Sequence, residues 1–191
     1  MMKILAISSS PRRGGNSERM LDVAVAAAGE TGAEVEKVIL KEIGFFPCAN
    51  CGACSRTGRC VLKDSYAELN GKIRAADRII IAAPIYFGSI CAQLKSLIDR
   101  GQPFWVEKFL LKREPEPREV QRRGIFLSCC GFAQGQKFFA NAEEIVRTYY
   151  FCMDVPYGGG VFEAGVDDRG AIDQHPEALE RCRQAGRNLA R

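Results

Sequence analysis

Several things are scarce in this chain. Long apolar runs are missing, and no stretch approaches the roughly 20 residues of a membrane span. A charge excess is missing too: 27 Lys plus Arg against 23 Asp plus Glu leave a net charge of +4, too mild to mark a nucleic-acid binder. Neither GxGxxG nor GxxxxGK[ST] occurs, which counts against a dinucleotide fold or a nucleoside triphosphatase. Histidine is nearly absent; the one present, His175, stands before Pro176, where a capping or surface role is expected. The segment Met1–Ile7 is too short for a signal peptide and carries no small-residue cleavage site. The expectation is a cytoplasmic protein without membrane or nucleic-acid partners. With 47% hydrophobic and 26% charged residues over 191 positions, the chain fits a single globular domain, residues 1–191.

What the chain has in excess is cysteine. There are nine, an odd number in a compartment where thiols stay reduced, so a disulfide framework is not expected. A metal site, redox chemistry or buried filler thiols are the readings left.

Apolar runs of strand length alternate with helical patterns. Strands are expected at Lys3–Ser8, Glu34–Leu40, Asp77–Ala83, Gly124–Cys129 and Val155–Glu163, the last weakened by Gly158-Gly159-Gly160. Helices are expected at Ser17–Gly29, from Asp64 as cap to Ala76, and at Ser89–Asp99, Lys137–Tyr150 and Pro176–Ala190. This alternation argues for an α/β fold on a parallel sheet. Two segments stand outside it: an insertion at 41–63 with four cysteines, and an excursion at 101–123 that suits a subunit contact. Within the excursion, Arg122-Arg123 is expected to be solvated or to attract an acidic redox partner.

The turn Ser8–Ser17 follows the first strand, at the carboxyl edge where ligands bind in such sheets. Ser8, Ser9, Ser10 and Ser17 offer hydroxyls, Arg12 or Arg13 offers charge, and Gly14-Gly15 allow close approach at a helix start. That chemistry suits a phosphate monoester. A polar turn with Asn16 or Ser17 as helix cap is the alternative. The segment Pro84-Ile85-Tyr86-Phe87-Gly88-Ser89 follows the most apolar strand. Its aromatics suit a planar heterocycle, or else are core or interface residues.

Cys48-Ala-Asn-Cys51-Gly-Ala-Cys54, then Cys60, places four thiols within thirteen positions. Small neighbours let the backbone wrap closely around one centre. Zinc sites of four thiolates usually come as two separated CxxC pairs, whereas CxxCxxC with a fourth cysteine nearby suits a 4Fe–4S ligand set. A zinc site or an empty loop remains open. The other five, Cys91, Cys129, Cys130, Cys152 and Cys182, share no pattern and read as filler.

Ser9-Ser-Pro-Arg-x-x-Gly-Asn-Ser17, together with Pro84–Ser89, Ala92–Lys95 and Ile98-Asp99-Arg100, resembles the flavodoxin-like NADPH-dependent FMN reductase family over essentially the whole chain. The resemblance implies a three-layer sandwich whose five-stranded parallel sheet has order 2-1-3-4-5, with helices on both faces. It implies FMN as cofactor. Ser8, Ser10, Arg12, Asn16 and Ser17 would hold its phosphate, and Pro84, Ile85, Tyr86, Phe87, Gly88 and Ser89 its ring. A third loop, with Cys129 and Gly131, would cover the ring's other side. The cysteine loop is similar to that of the iron–sulfur flavoprotein branch, which implies Cys48, Cys51, Cys54 and Cys60 as ligands of a 4Fe–4S cluster. The implied protein is a homodimer or homotetramer in which a cluster approaches a neighbouring subunit's flavin. NAD(P)H or ferredoxin would be its electron donor, and a small oxidant its other partner. A cluster-free NAD(P)H-dependent FMN or quinone reductase is one alternative, and a redox-sensing or metal-binding module without turnover is another.

Overall fold

The run Ile79–Ala83 is apolar on both faces because it forms the axis of the sheet. In the computed structural model, which describes Met1–Arg191, it becomes strand β3 (Arg78–Tyr86). On one side β3 pairs in parallel with β1 (Lys3–Ser8), which pairs with β2 (Glu34–Ile39). On the other side lie β5 (Arg123–Cys130) and then β6 (Tyr157–Ala164), also parallel. The spatial order is β2-β1-β3-β5-β6, the expected order once these five strands are counted in sequence.

Side chains alternate between the two faces, so each strand feeds two cores. Leu5, Ile7, Ile79, Ile81 and Phe126 pack beneath α2 (Tyr66–Ala75), α3 (Ala92–Arg100) and α5 (Gln136–Cys152). Ile4, Ala6, Ile80, Ala82, Ile125 and Leu127 pack beneath α1 (Asn16–Gly29) and α6 (Pro176–Leu189). At Gly186 the α1 and α6 backbones nearly touch: a Cβ there would stand 2.1 Å from the Ala24 carbonyl oxygen. No helix is long and apolar enough to cross a membrane.

The structure differs from expectation in four places. The sheet gains a sixth, two-residue strand, β4 (Ser89–Ile90), antiparallel to the end of β3. The helix expected from Ser89 therefore starts only at Ala92, because Ser89 and Ile90 are spent on pairing with Tyr86 and Ile85. The excursion 101–123 opens with a short helix, α4 (Gln102–Trp105), and a wide turn over Val106–Leu110. Arg122 is not solvated either. It donates to the carbonyls of Ile73 (2.6 Å), Ala76 (3.1 Å) and Met153 (2.9 Å), closing the carboxyl end of α2. Burial, with Arg118 and Arg74 beside it, lowers its pKa to about 10.

Candidate functional site: a phosphate loop and a four-thiol cavity

The loop between β1 and α1 is built to present donors. Ser9 Oγ donates to the Ala82 carbonyl at 2.7 Å, tying the loop to β3. Ser10 Oγ accepts from the Arg12 N–H at 3.1 Å and donates to its carbonyl at 3.0 Å, forming the turn. Glu18 then accepts the Gly14 N–H at 2.8 Å and pairs with Lys37 at 2.9 Å. Burial works to raise the Glu18 pKa, but Lys37 and the Gly14 N–H outweigh it and hold the carboxyl below its usual range.

Two features leave room for an anion. No side chain caps the start of α1, so the first-turn N–H groups face outward with the positive end of the helix dipole. Ser8, at the end of β1, is 1% exposed, and its Oγ has no partner. A buried hydroxyl left unmet costs about 1–3 kcal/mol, and a bound phosphate or ribityl oxygen would relieve it. Arg12 is exposed beside the loop, and Ser17 is buried in the first turn. These residues fit a phosphate monoester.

Asn16 is differently employed. Its Nδ2 donates to the Asp168 carbonyl at 2.8 Å, and its Oδ1 accepts the Gly170 N–H at 3.0 Å. Arg169 Nη2 donates to the Arg13 carbonyl at 2.7 Å. The segment after β6 thus braces the phosphate loop, a role not legible in the sequence because 152 to 156 residues separate the partners.

The second loop is a tight hairpin. Ile85 faces Ile90 and Tyr86 faces Ser89, leaving Phe87-Gly88 as its two-residue turn. Both have positive φ, +49° and +73°. That backbone suits Gly88 and strains Phe87, whose ring stands free in solvent. Phe138 lies 3.1 Å from where a Gly88 Cβ would be, and Asn141 donates to the Gly88 carbonyl at 3.0 Å. Pro84 is half-buried within β3. Burial pushes the Tyr86 hydroxyl pKa up, with Arg12 near enough to oppose it.

In the third loop, Gly131 is exposed and abuts Asp167. Cys129 is buried on the α1 side, and its thiol is pushed up to about 12 by burial. It is therefore a neutral thiol and no ready nucleophile.

Cys48, Cys51, Cys54 and Cys60 line one cavity of about 160 Å³, walled also by Arg100, Pro103, Trp105 and Leu110. Burial raises the Cys54 thiol pKa, and all three other thiols add to the rise. No three Cys, His, Asp or Glu side chains converge closely enough to hold a single metal ion. The four cysteines nonetheless line one solvent-open cavity, with Cys51 exposed and the other three half-buried, and four thiolates are the donor set of an iron–sulfur cluster. In donor chemistry the residues fit that group.

Arg100 forms the wall between this cavity and the core. Its side chain is 1% exposed and its guanidinium grips Asp64 with two bonds, 2.6 and 2.9 Å. It also donates to the Phe46 carbonyl at 2.6 Å and lies 4.4 Å over the Tyr66 ring. Its Nε is buried without a partner. Burial lowers its basicity, but Asp64 and Cys60 more than reverse this, and the pKa rises overall. The sequence suggested Asp64 only as a helix cap. It does accept the Tyr66 N–H at 3.2 Å, but the buried partner Arg100 was not legible there.

The two sites lie apart within one chain. The 41–63 insertion leaves the carboxyl edge beside the phosphate loop, where Glu42 pairs with Arg13 at 3.0 Å. Its cysteines, however, pack at the far end of α3. Cys91 precedes α3 and donates to the Ser9 carbonyl at 3.1 Å, while Arg100 ends it at the cavity. Nine residues at 1.5 Å each span roughly 13 Å.

The fold and the carboxyl-edge loops define a flavodoxin-like α/β protein. Residues 2–151 match the family described as NADPH-dependent FMN reductase, and the chain belongs to that family. An iron-sulfur flavoprotein of Methanosarcina thermophila is 43% identical over 113 residues, 59% of each chain. One from Archaeoglobus fulgidus is 39% identical over 103 residues, 54% of this chain and 47% of that one. The chain thus spans about half the length of these curated relatives. An iron-sulfur flavoprotein of Methanocaldococcus jannaschii is 29% identical over 195 aligned positions, 96% of this chain and 92% of the relative. Among solved structures, an NAD(P)H:quinone oxidoreductase from Methanothermobacter marburgensis superposes with a TM-score of 0.75 at 20% identity, covering 98% of this chain and 96% of that one. At that identity the likeness speaks for the fold alone.

Proposed function

We propose that the protein is an FMN-dependent electron-transfer oxidoreductase that carries a 4Fe–4S cluster on Cys48, Cys51, Cys54 and Cys60. The observation that carries this reading is that four thiols share one cavity in a chain that also has an uncapped, serine-lined phosphate loop. Relatives named iron-sulfur flavoprotein add weight. FMN takes up two electrons and can release them singly, and a cluster carries one at a time.

The chain's own residues bind and orient. Ser8, Ser10, Ser17 and Arg12 hold the phosphate against the start of α1, and Asn16 fixes the segment that braces them. The Tyr86–Ser89 hairpin, pinned by Asn141, shapes access to the ring. Pro84 and Ile85 set the hairpin's base, and Gly131 lines the opposite loop. Cys129 stays neutral and only fills space. Each chain's two sites lie toward opposite ends of α3, roughly 13 Å apart along its axis, and a neighbouring subunit's flavin is proposed as the cluster's electron partner. Exposed Phe87, and the Trp105–Phe109–Phe151 aromatic run with ring centroids 5.6 and 6.0 Å apart, are surfaces fit for a homodimer or homotetramer. NAD(P)H or ferredoxin would supply electrons, and a small oxidant would accept them.

A cluster-free NAD(P)H-dependent FMN or quinone reductase is the second reading, favoured by the thiols' lack of convergence on a single-ion site. An absorbance spectrum of anaerobically purified protein separates the two. Broad visible absorption beneath the flavin bands, bleached by dithionite, supports the cluster; flavin bands alone support the second reading.

A further inference from the structure

We infer that Arg100 is the fixed counter-charge of the four-thiol centre and that Asp64 sets how much of its charge the centre feels. The inference rests on the reading of the cavity as a cluster site. Arg100 is the only cation among the residues that line the cavity. Its guanidinium is almost fully buried, and its Nε–H has no acceptor although its other nitrogens are engaged. Cys60 lines the same cavity as Arg100. A planar cation held by a bidentate carboxylate cannot swing away, so it is a positioned charge and not a flexible one.

Four thiolates make the centre anionic, and each added electron makes it more so. A buried cation beside it favours the reduced state, and a nearby carboxylate opposes that effect. Asp64 therefore works as a damper: it holds Arg100 in place and cancels part of its field. Arg100 is a positioning residue here and makes no contact with the flavin loops.

The test is a redox titration of anaerobically purified protein, reconstituted with iron and sulfide and monitored by electron paramagnetic resonance, with the flavin midpoint read by absorbance in the same sample. Arg100→Gln should lower the cluster's midpoint by about a tenfold change in the reduced-to-oxidised ratio, roughly 59 mV for one electron. Asp64→Asn keeps the cation and should raise the midpoint by a similar factor. The flavin midpoint should stay in place in both, which a general loosening of the fold would not allow. If Arg100→Gln does not fold, the upward shift in Asp64→Asn decides alone. Iron-loaded variants with the wild-type midpoint, or a downward shift in Asp64→Asn, overturn the inference and leave the cluster reading intact. A wild-type protein that retains no iron after reconstitution overturns both.

Discussion

Cys91 and Arg100 stand at the two ends of one helix, α3, and each touches a different site. The Cys91 thiol donates to the Ser9 carbonyl of the phosphate loop at 3.1 Å, and Arg100 walls the four-thiol cavity. No hydrogen bond or ion pair joins the cysteine loop itself to the phosphate loop; α3 and the Glu42–Arg13 pair at the base of the insertion are what connect the two neighbourhoods. The sites should therefore load independently. Cys51→Ser should abolish iron retention yet leave FMN affinity within about twofold of wild type, as expected of distant, uncoupled positions. Equilibrium dialysis with flavin fluorescence checks this, and parallel loss of FMN would contradict the separation.

The phosphate loop predicts a ligand preference. In the proposed site Arg12 would contribute charge to a phosphate and nothing to a neutral ribityl chain. Arg12→Ala should weaken FMN binding about 10- to 100-fold, the equivalent of ~1.5–3 kcal/mol for a charged hydrogen bond. Riboflavin affinity should be unchanged. Titration calorimetry with both ligands reads the difference, and equal weakening of the two would place Arg12 elsewhere than at the phosphate.

Phe87 occupies a strained left-handed position, φ +49°, with its ring fully exposed. Backbone strain of this kind clusters at functional sites. Phe87→Asn, which suits the turn better, should stabilise the fold by roughly 1 kcal/mol and slow flavin reduction. Thermal melts and single-turnover flavin bleaching test the pair of effects. A destabilised variant with normal bleaching would remove Phe87 from the account.

Acid should loosen the phosphate loop. Glu18 has its pKa held below the usual 4.5 by Lys37 and the Gly14 N–H, against the effect of burial. A carboxyl with a lowered folded-state pKa binds fewer protons folded than unfolded. Its stabilisation is complete above about pH 4.5 and fades as pH falls through the folded-state value. Glu18→Gln should therefore flatten the decline of the thermal midpoint in that window and lower it at neutral pH. An unchanged pH profile would show that the Glu18 charge carries no stability.

The strands were legible as short apolar runs, and the central place of β3 from its being apolar on both faces; the strand order came from the family resemblance. The loop proposed for the phosphate stood out for a local reason: serines, arginine and glycines sit together before a helix. What was illegible depended on distance along the chain. Asn16 meets Asp168 and Gly170, Gly88 meets Phe138 and Asn141, and Asp64 meets Arg100. No local pattern announces such pairs. Ser89 and Ile90 carried a helix-compatible sequence, but pairing with β3 satisfied their backbone first. The arginines of the excursion looked like surface charge, and only the fold shows that Arg122 closes the end of α2.

The central claim is that one chain holds both FMN and an iron–sulfur cluster. The most direct measurement is the iron and acid-labile sulfide content per chain of anaerobically reconstituted protein, with FMN counted in the same sample. The account predicts about four iron and four sulfide, as a 4Fe–4S cluster on four cysteines requires, falling to background in Cys51→Ser. Stoichiometric FMN with iron at background in the wild-type protein would contradict it.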